Sequence, residues 1–85
     1  MPTISMFYGI LIRMYYDDHQ PPHFHAYYNH KEAIFTLDGK LIKGDFPNKQ
    51  LKLVEAWSII HKEELEANWL LCKNYEELFN IQPLS

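Results

Sequence analysis

Most of the predicted sheet lies in residues 23–44, HFHAYYNHKEAIFTLDGKLIKG. Its β-branched and aromatic residues recur with a period of two, which is typical of strands that bury one face. Asn29-His30 and Asp38-Gly39 interrupt this pattern, and we predict a two-residue hairpin turn at each because asparagine and glycine tolerate positive φ. The predicted consecutive antiparallel strands cover residues 23–28, 31–37 and 40–44.

These two turns fix which side chains share a face of the sheet. One face is apolar, and we predict that it lies under the helices; it carries Phe24, Ala26, Ala33, Phe35, Leu37 and Ile42. The opposite face is mixed and carries His23, His25, Tyr27, Glu32, Ile34, Thr36, Leu41 and Lys43. A sheet of this kind is expected to be covered on one side only.

Residues 6–16 are rich in isoleucine, tyrosine and methionine, which favours one further strand with Gly9 as a bulge or bend. Arg13 and Tyr15 share one face of this strand. We place them on the histidine-bearing face of the sheet, because burying a lone guanidinium is costly. The prediction is a four-stranded antiparallel meander.

From Asn48 the apolar period lengthens to between three and four residues, which indicates a helical stripe. The stripe runs to Lys73, which is long for so small a domain, so we predict a break near His61-Lys62. The region is then one bent helix or two helices, packed on the apolar face of the sheet. We predict a single α+β domain over residues 1–85. The side chains expected to be largely buried are Phe24, Ala26, Phe35, Ile42, Leu51, Val54, Trp57 and Trp69.

Composition limits the function classes. The net charge is −3, whereas a protein that coats nucleic acid is basic, so a basic protein partner suits this chain better. Six tyrosines favour a contact surface, either for a partner or for a homodimer. The single cysteine, Cys72, has no internal disulfide partner, and no apolar run approaches a membrane span. With no signal-peptide pattern either, we expect a soluble cytoplasmic protein that does not contact a membrane.

The run DDHQPPHFHA, residues 17–26, is where chemistry is expected. Residues two apart on a strand point to the same side, so His23 and His25 should stand side by side. Imidazole binds metals, transfers protons near neutral pH and donates hydrogen bonds to phosphate. The candidate catalytic residues on this face are His23, His25, Arg13 and Tyr27. Glu32 shares the face, and His19 and Asp17 lie at its rim.

The histidine pair supplies two metal ligands, whereas a catalytic zinc site uses three. The predicted ligand set for zinc or another divalent transition metal is His19, His23 and His25. The carboxylates that can replace His19 are Asp17, Asp18 and Glu32. Acid–base catalysis, phosphate contact with Arg13, and a plain pair of surface histidines remain alternatives at this point. His61 lies on the helical stripe, which favours a hydrogen-bonded core histidine.

Several of these residues also support a resemblance to a known family. The residues that carry it are Pro2 to Ile10 (PTISMFYGI), Asp18 to Ala26 (DHQPPHFHA), Trp57, His61, Glu64-Leu65 and Trp69. Over nearly its whole length the chain resembles a family of small bacterial proteins named domain of unknown function 4160, for which the Pro-Pro-His-Phe-His run is fairly specific. The turn at Asn29-His30 departs from the family, in which that turn is often glycine-rich.

The resemblance implies a partner. Members of this family are commonly encoded beside another small protein, in a layout typical of a toxin–antitoxin pair. The implied partner is the cognate small protein encoded by a neighbouring gene, with RNA as a candidate target.

Two functions follow from the residues and the resemblance together. The first is one component of a toxin–antitoxin-like pair that acts through a protein–protein interface. The alternative is an enzyme, either an endoribonuclease or a metal-assisted hydrolase, that uses the histidine face of the sheet. The enzyme requires Arg13, Lys43 and the histidines on one connected surface, whereas the interaction protein does not.

Overall fold

The computed structural model describes residues 2–85, which form one antiparallel sheet followed by two helices. The strands are β1 (Thr3–Phe7), β2 (Ile10–Arg13), β3 (His23–Tyr28), β4 (Lys31–Thr36) and β5 (Leu41–Gly44). The helices are α1 (Asn48–Ile60) and α2 (Lys62–Lys73). Strands that are neighbours in sequence are neighbours in the sheet, so the predicted α+β fold with an antiparallel meander is confirmed. Within residues 2–85, neither helix has the length and apolarity needed to cross a membrane.

The predicted number of strands, four, is wrong because the first predicted strand is a hairpin. Tyr8 and Gly9 have φ values of 48° and 79°, so the chain reverses there in a two-residue turn. Phe7 and Ile10 face each other across it, and the sheet has five strands. Tyrosine rarely adopts positive φ, so Tyr8-Gly9 lacks the sequence signal of an Asn-Gly or Asp-Gly turn.

The register of the β3–β4 hairpin agrees with the prediction. Asn29 has a φ of 54°, and Tyr28 pairs with Lys31 across the turn. Phe24 consequently faces Phe35, and their rings stack with centroids 5.6 Å apart. This register places the two histidines of β3 together on the face of the sheet opposite to Phe24 and Phe35.

The β4–β5 turn differs from the prediction by one residue. Thr36 accepts a hydrogen bond from the Gly39 N–H and donates its own N–H to the Lys40 carbonyl oxygen, each at 2.9 Å. Only Gly39, with a φ of 82°, adopts the left-handed conformation here, whereas a two-residue turn of type I′ requires it at both Asp38 and Gly39. The loop therefore contains three residues, and the register of β5 shifts.

This shift changes the environment of Ile42. Phe35 faces Leu41 rather than Ile42, and the ladder is irregular at this point. Ile42 is 49% exposed, so the prediction that it is buried is wrong. Leu51 is only partly buried, while the other side chains predicted for the core are buried.

The helices cover the apolar face of the sheet. The Trp57 ring of α1 lies 5.2 Å from Phe7 and 5.8 Å from Phe24, measured between centroids. The predicted break between the helices occurs at His61, whose φ and ψ are −111° and 27°. The His61 ring lies beside Trp57 and is hydrogen-bonded to Glu64 at the start of α2.

Residues 74–85 return as an extended tail to the free edge of β1. The Ile81 N–H donates to the Ile4 carbonyl oxygen at 2.7 Å, and the Ser5 hydroxyl donates to the Ile81 oxygen at 3.0 Å. Trp57 donates through Nε1 to the Gln82 oxygen at 2.9 Å. The tail thus covers one sheet edge, and unpaired edges of this kind promote association with other chains.

Candidate functional site

Three side chains with metal-ligand chemistry meet at the start of β3. His23 and His25 belong to β3, and Asp18 belongs to the loop that precedes it. Oδ2 of Asp18 lies 3.0 Å from Nε2 of each histidine, and the three ligand atoms all lie within 4.8 Å of one another. The histidine side chains are 12% exposed and the aspartate 25%. We refer to these residues as the histidine–aspartate cluster.

The other nitrogen of each ring is also held. Nδ1 of His23 lies 2.7 Å from the Pro21 carbonyl oxygen, which can only accept a hydrogen bond, so this nitrogen carries a proton. Nδ1 of His25 lies 3.2 Å from Oε2 of Glu32, which likewise accepts. A neutral His23 therefore presents the lone pair of its Nε2 towards Asp18, whereas a neutral His25 has one N–H for two acceptors, Asp18 at 3.0 Å and Glu32 at 3.2 Å. The cluster has more acceptor atoms than N–H donors, an arrangement that either added protons or one metal cation can satisfy.

Contacts from the end of α2 position the loop that carries Asp18. Lys73 donates through Nζ to the backbone oxygen of Asp18, and the Tyr75 hydroxyl donates to Asp17 at 3.3 Å. The Trp69 ring lies 5.4 Å from the His23 ring. The cluster is consequently built where the β2–β3 loop, the start of β3 and the end of α2 meet.

The structure brings together some of the predicted site residues but not all. Arg13 lies directly opposite His25 in the sheet, as expected for a shared face. Its guanidinium, however, is engaged elsewhere: Nε donates to Thr3 at 3.2 Å, and the group lies 5.4 Å from the centre of the Tyr27 ring. His19 is exposed and lies outside the histidine–aspartate cluster, where Asp18 supplies the third ligand atom.

Tyr15 also belongs to this region, although it was not among the predicted site residues. Its hydroxyl is hydrogen-bonded to the Tyr27 hydroxyl, and its ring meets the His25 ring edge-on at 4.6 Å. The pKa of Tyr27 is raised, first by burial and then by the hydrogen bond to Tyr15 and the charge of Glu32. Tyr27 therefore stays protonated at neutral pH. The two-residue spacing of Tyr15 from Arg13 had placed it on the histidine-bearing face, but this spacing did not indicate that it contacts His25 and Tyr27.

A cavity of about 460 Å³ opens beside the cluster. Its walls combine three aromatic side chains, Tyr15, Tyr16 and Tyr27, with three carboxylates, Asp17, Asp18 and Glu32. His25 and Pro2 complete the lining, so Asp18 and His25 belong to both the cavity and the cluster. No lysine or arginine of the described residues 2–85 lines it. We refer to it as the tyrosine cavity.

Comparison with known proteins identifies the family. No curated protein and no solved structure matches this chain significantly. A family model described as "Domain of unknown function (DUF4160)" matches residues 9–70, which include the histidine–aspartate cluster but not β1 or the C-terminal tail. Since this match covers well over half of the sequence, the chain belongs to the family of domain of unknown function 4160.

Proposed function

We propose that this protein binds a divalent transition metal, with zinc as the first candidate, through Asp18, His23 and His25, and that it is a metal-assisted hydrolase. The observation that carries the proposal is the convergence of two Nε2 atoms on one carboxylate oxygen at 3.0 Å, with both Nδ1 atoms hydrogen-bonded to acceptors. Ligands at about 2.0–2.1 Å from a tetrahedral zinc ion lie roughly 3.3 Å apart, close to the 3.0 Å between Oδ2 of Asp18 and Nε2 of each histidine.

The surroundings of the two histidines suit metal binding. Metal-bound histidines almost always donate their second ring N–H to a carboxylate or a backbone carbonyl, which fixes the orientation of the ring. Glu32 fills this role for His25, and the Pro21 carbonyl fills it for His23. Two imidazoles and one carboxylate form a three-ligand set, which leaves a coordination position for water.

Hydrolysis is the chemistry that such a set supports. When bound, a metal in a three-ligand site supplies hydroxide near neutral pH by lowering the pKa of its water. The chain's own contributions are the orientation of the rings by Glu32 and Pro21 and a protonated phenol, Tyr27, beside the cluster. The tyrosine cavity adjoins Asp18 and His25 and so offers space for a substrate.

Calorimetric zinc titration of the chelator-treated full chain tests this proposal. We expect one zinc per chain, a strong loss of affinity in His25→Ala, and little change in His19→Ala, which removes an exposed histidine outside the cluster. Zinc-dependent hydrolysis is then assayed on ester, amide and phosphodiester probes. Binding that is equally weak in all three proteins is the adventitious capture typical of surface histidines, and it contradicts the proposal.

RNA cleavage remains the runner-up chemistry, and the sheet register supports it. Arg13, His25, Ile34 and Lys43 follow one another in a row across four strands, so both cations share the histidine face. The carboxylates Asp17, Asp18 and Glu32 would repel the negatively charged RNA backbone at the cluster itself. We therefore rank phosphodiester hydrolysis second. The rate of zinc-dependent hydrolysis of the phosphodiester probe, compared with the rates for the ester and amide probes, tests this order.

A second candidate function is the interaction with a cognate small protein in a toxin–antitoxin-like pair. It is favoured by an apolar row on the open sheet face, in which Met6 faces Leu11 and Leu11 faces Tyr27. Met6 is 64% exposed. Co-expression with the product of the neighbouring gene tests this candidate. We expect Met6→Lys to reduce co-purification, whereas Ile59→Lys, an equally exposed position on α1, serves as the control.

A further inference from the structure

We infer that the tyrosine cavity binds its ligand through a positively charged ammonium or guanidinium group. The inference rests on the proposed function, because it names the substrate class of the same site. It concerns the part of the cavity beyond the histidine–aspartate cluster, where Tyr15, Tyr16 and Tyr27 stand beside Asp17 and Glu32.

Charge is the first argument. The cavity has three carboxylates in its lining and no lysine or arginine. Two cations contact residues of the lining: Arg13 lies over the Tyr27 ring, and Lys73 donates to the backbone oxygen of Asp18. Neither of them forms an ion pair with a carboxylate of the lining. The negative charge of the lining is therefore not neutralised from within the cavity.

The partners of the carboxylates single out Asp17. Asp18 is committed to the two histidines, and Glu32 is committed through Oε2 to His25. Asp17 accepts only a hydrogen bond from the neutral Tyr75 hydroxyl, at 3.3 Å. A metal with two positive charges on the cluster balances Asp18 and Glu32, and it leaves the charge of Asp17 available to a ligand.

The aromatic rings of the cavity also favour a cationic ligand group. Tyrosine faces attract ammonium and guanidinium groups through their π electrons, and carboxylates beside such rings add a direct charge partner. The Arg13 guanidinium already lies over the Tyr27 ring in this way, whereas among residues 2–85 no lysine or arginine lies over the rings of Tyr15 and Tyr16. The cavity volume, about 460 Å³, falls within the range of small-molecule sites, which is about 300–1,000 Å³.

NMR titration of the zinc-loaded and metal-free full chain with n-butylammonium, 1-pentanol and butyrate tests the inference. We expect the ring signals of Tyr15 and Tyr27 to shift with the ammonium probe, and not with butyrate. Asp17→Asn should weaken n-butylammonium binding by about two- to five-fold, as for a partly exposed ion pair. Asp45→Asn is the matched control, because Asp45 is exposed and paired with Lys31 outside the cavity.

Two further arms complete the experiment. Added salt should weaken n-butylammonium binding to the wild type more than to Asp17→Asn, because the exposed charge pair is screened. A capped Gly-Lys-Gly peptide replaces the free amine in a parallel titration. Tighter binding of the peptide identifies a lysine side chain as the source of the ammonium group, whereas tighter binding of the free amine identifies a small molecule.

The outcomes separate this inference from the proposed function. Butyrate binding as tight as that of n-butylammonium, or equal effects of Asp17→Asn and Asp45→Asn, overturns the inference. If zinc binds and n-butylammonium does not, only the inference fails. If n-butylammonium binds and zinc does not, the cation-binding cavity stands and the metal proposal fails.

Discussion

Asn68 is the residue through which α2 holds the C-terminal tail. Its side chain is completely buried, donates through Nδ2 to the Phe79 oxygen at 2.9 Å and accepts at Oδ1 from the Phe79 N–H at 3.1 Å. Asn68→Leu keeps the size of the side chain but removes both hydrogen bonds. The Phe79 N–H and C=O then lose their partners within the protein.

The expected loss of stability follows from these contacts. Removing one partner of a buried hydrogen bond costs about 1–3 kcal/mol, and because Phe79 is partly exposed we expect about 1–2 kcal/mol for each of the two bonds. The total, about 2–4 kcal/mol, is a large fraction of the ~5–15 kcal/mol that stabilises a typical domain. For a chain of this size, we expect a fall in Tm of about 8–32 °C.

Urea unfolding followed by circular dichroism measures this loss. Asn80→Leu is the matched control, because the same chemical change is made at an exposed position on the same tail. Native-state hydrogen exchange should also show that the Phe79 amide loses protection in Asn68→Leu. A loss below about 0.5 kcal/mol, the range of ordinary surface changes, would show that Asn68 does not hold the tail.

Three further predictions concern the turn, the cluster and the buried thiol. Gly39→Ala should lower the Tm more than Gly9→Ala does. Both glycines have positive φ, but a Cβ at position 39 would lie 2.7 Å from an α1 backbone atom, whereas a Cβ at position 9 would lie 3.4 Å from a tyrosine ring. Glu32→Gln should lower zinc affinity by about 10–100-fold without unfolding the chain, because Glu32 orients His25; unchanged affinity would contradict this role. Cys72 is fully buried, and its pKa is raised by this burial and then by the charge of Asp18. A thiol reagent at pH 8 should therefore react with Cys72 only after urea is added. Rapid reaction of the native protein would show that the thiol is accessible.

Much of the fold could be predicted because its turns and periods carry clear signals. The Asn29-His30 turn fixed the β3–β4 register, and the apolar stripe located both helices and the break at His61. The Tyr8-Gly9 turn was missed because tyrosine gives no signal for positive φ. The register error at Ile42 arose because Asp-Gly fits both a two-residue loop and a three-residue loop, and the sequence does not distinguish them.

The site was predicted in part, for a similar reason. Strand periodicity places His23, His25 and Arg13 on one face, and the structure agrees. Which side chain of the preceding loop joins the histidines depends on the path of that loop, and the contacts from Lys73 and Tyr75 determine this path over more than fifty residues of sequence. Periodicity has no information about such long-range contacts.

Cobalt(II) titration of the full chain, followed by visible absorption, tests whether Asp18, His23 and His25 bind a metal together. Asp18 and Asp17 are neighbouring carboxylates, but only Asp18 has an oxygen within 3.0 Å of both histidines. We predict one cobalt per chain with ligand-field bands that Asp18→Ala weakens or abolishes and that Asp17→Ala leaves unchanged. Identical titrations of wild type, Asp18→Ala and Asp17→Ala would contradict this prediction.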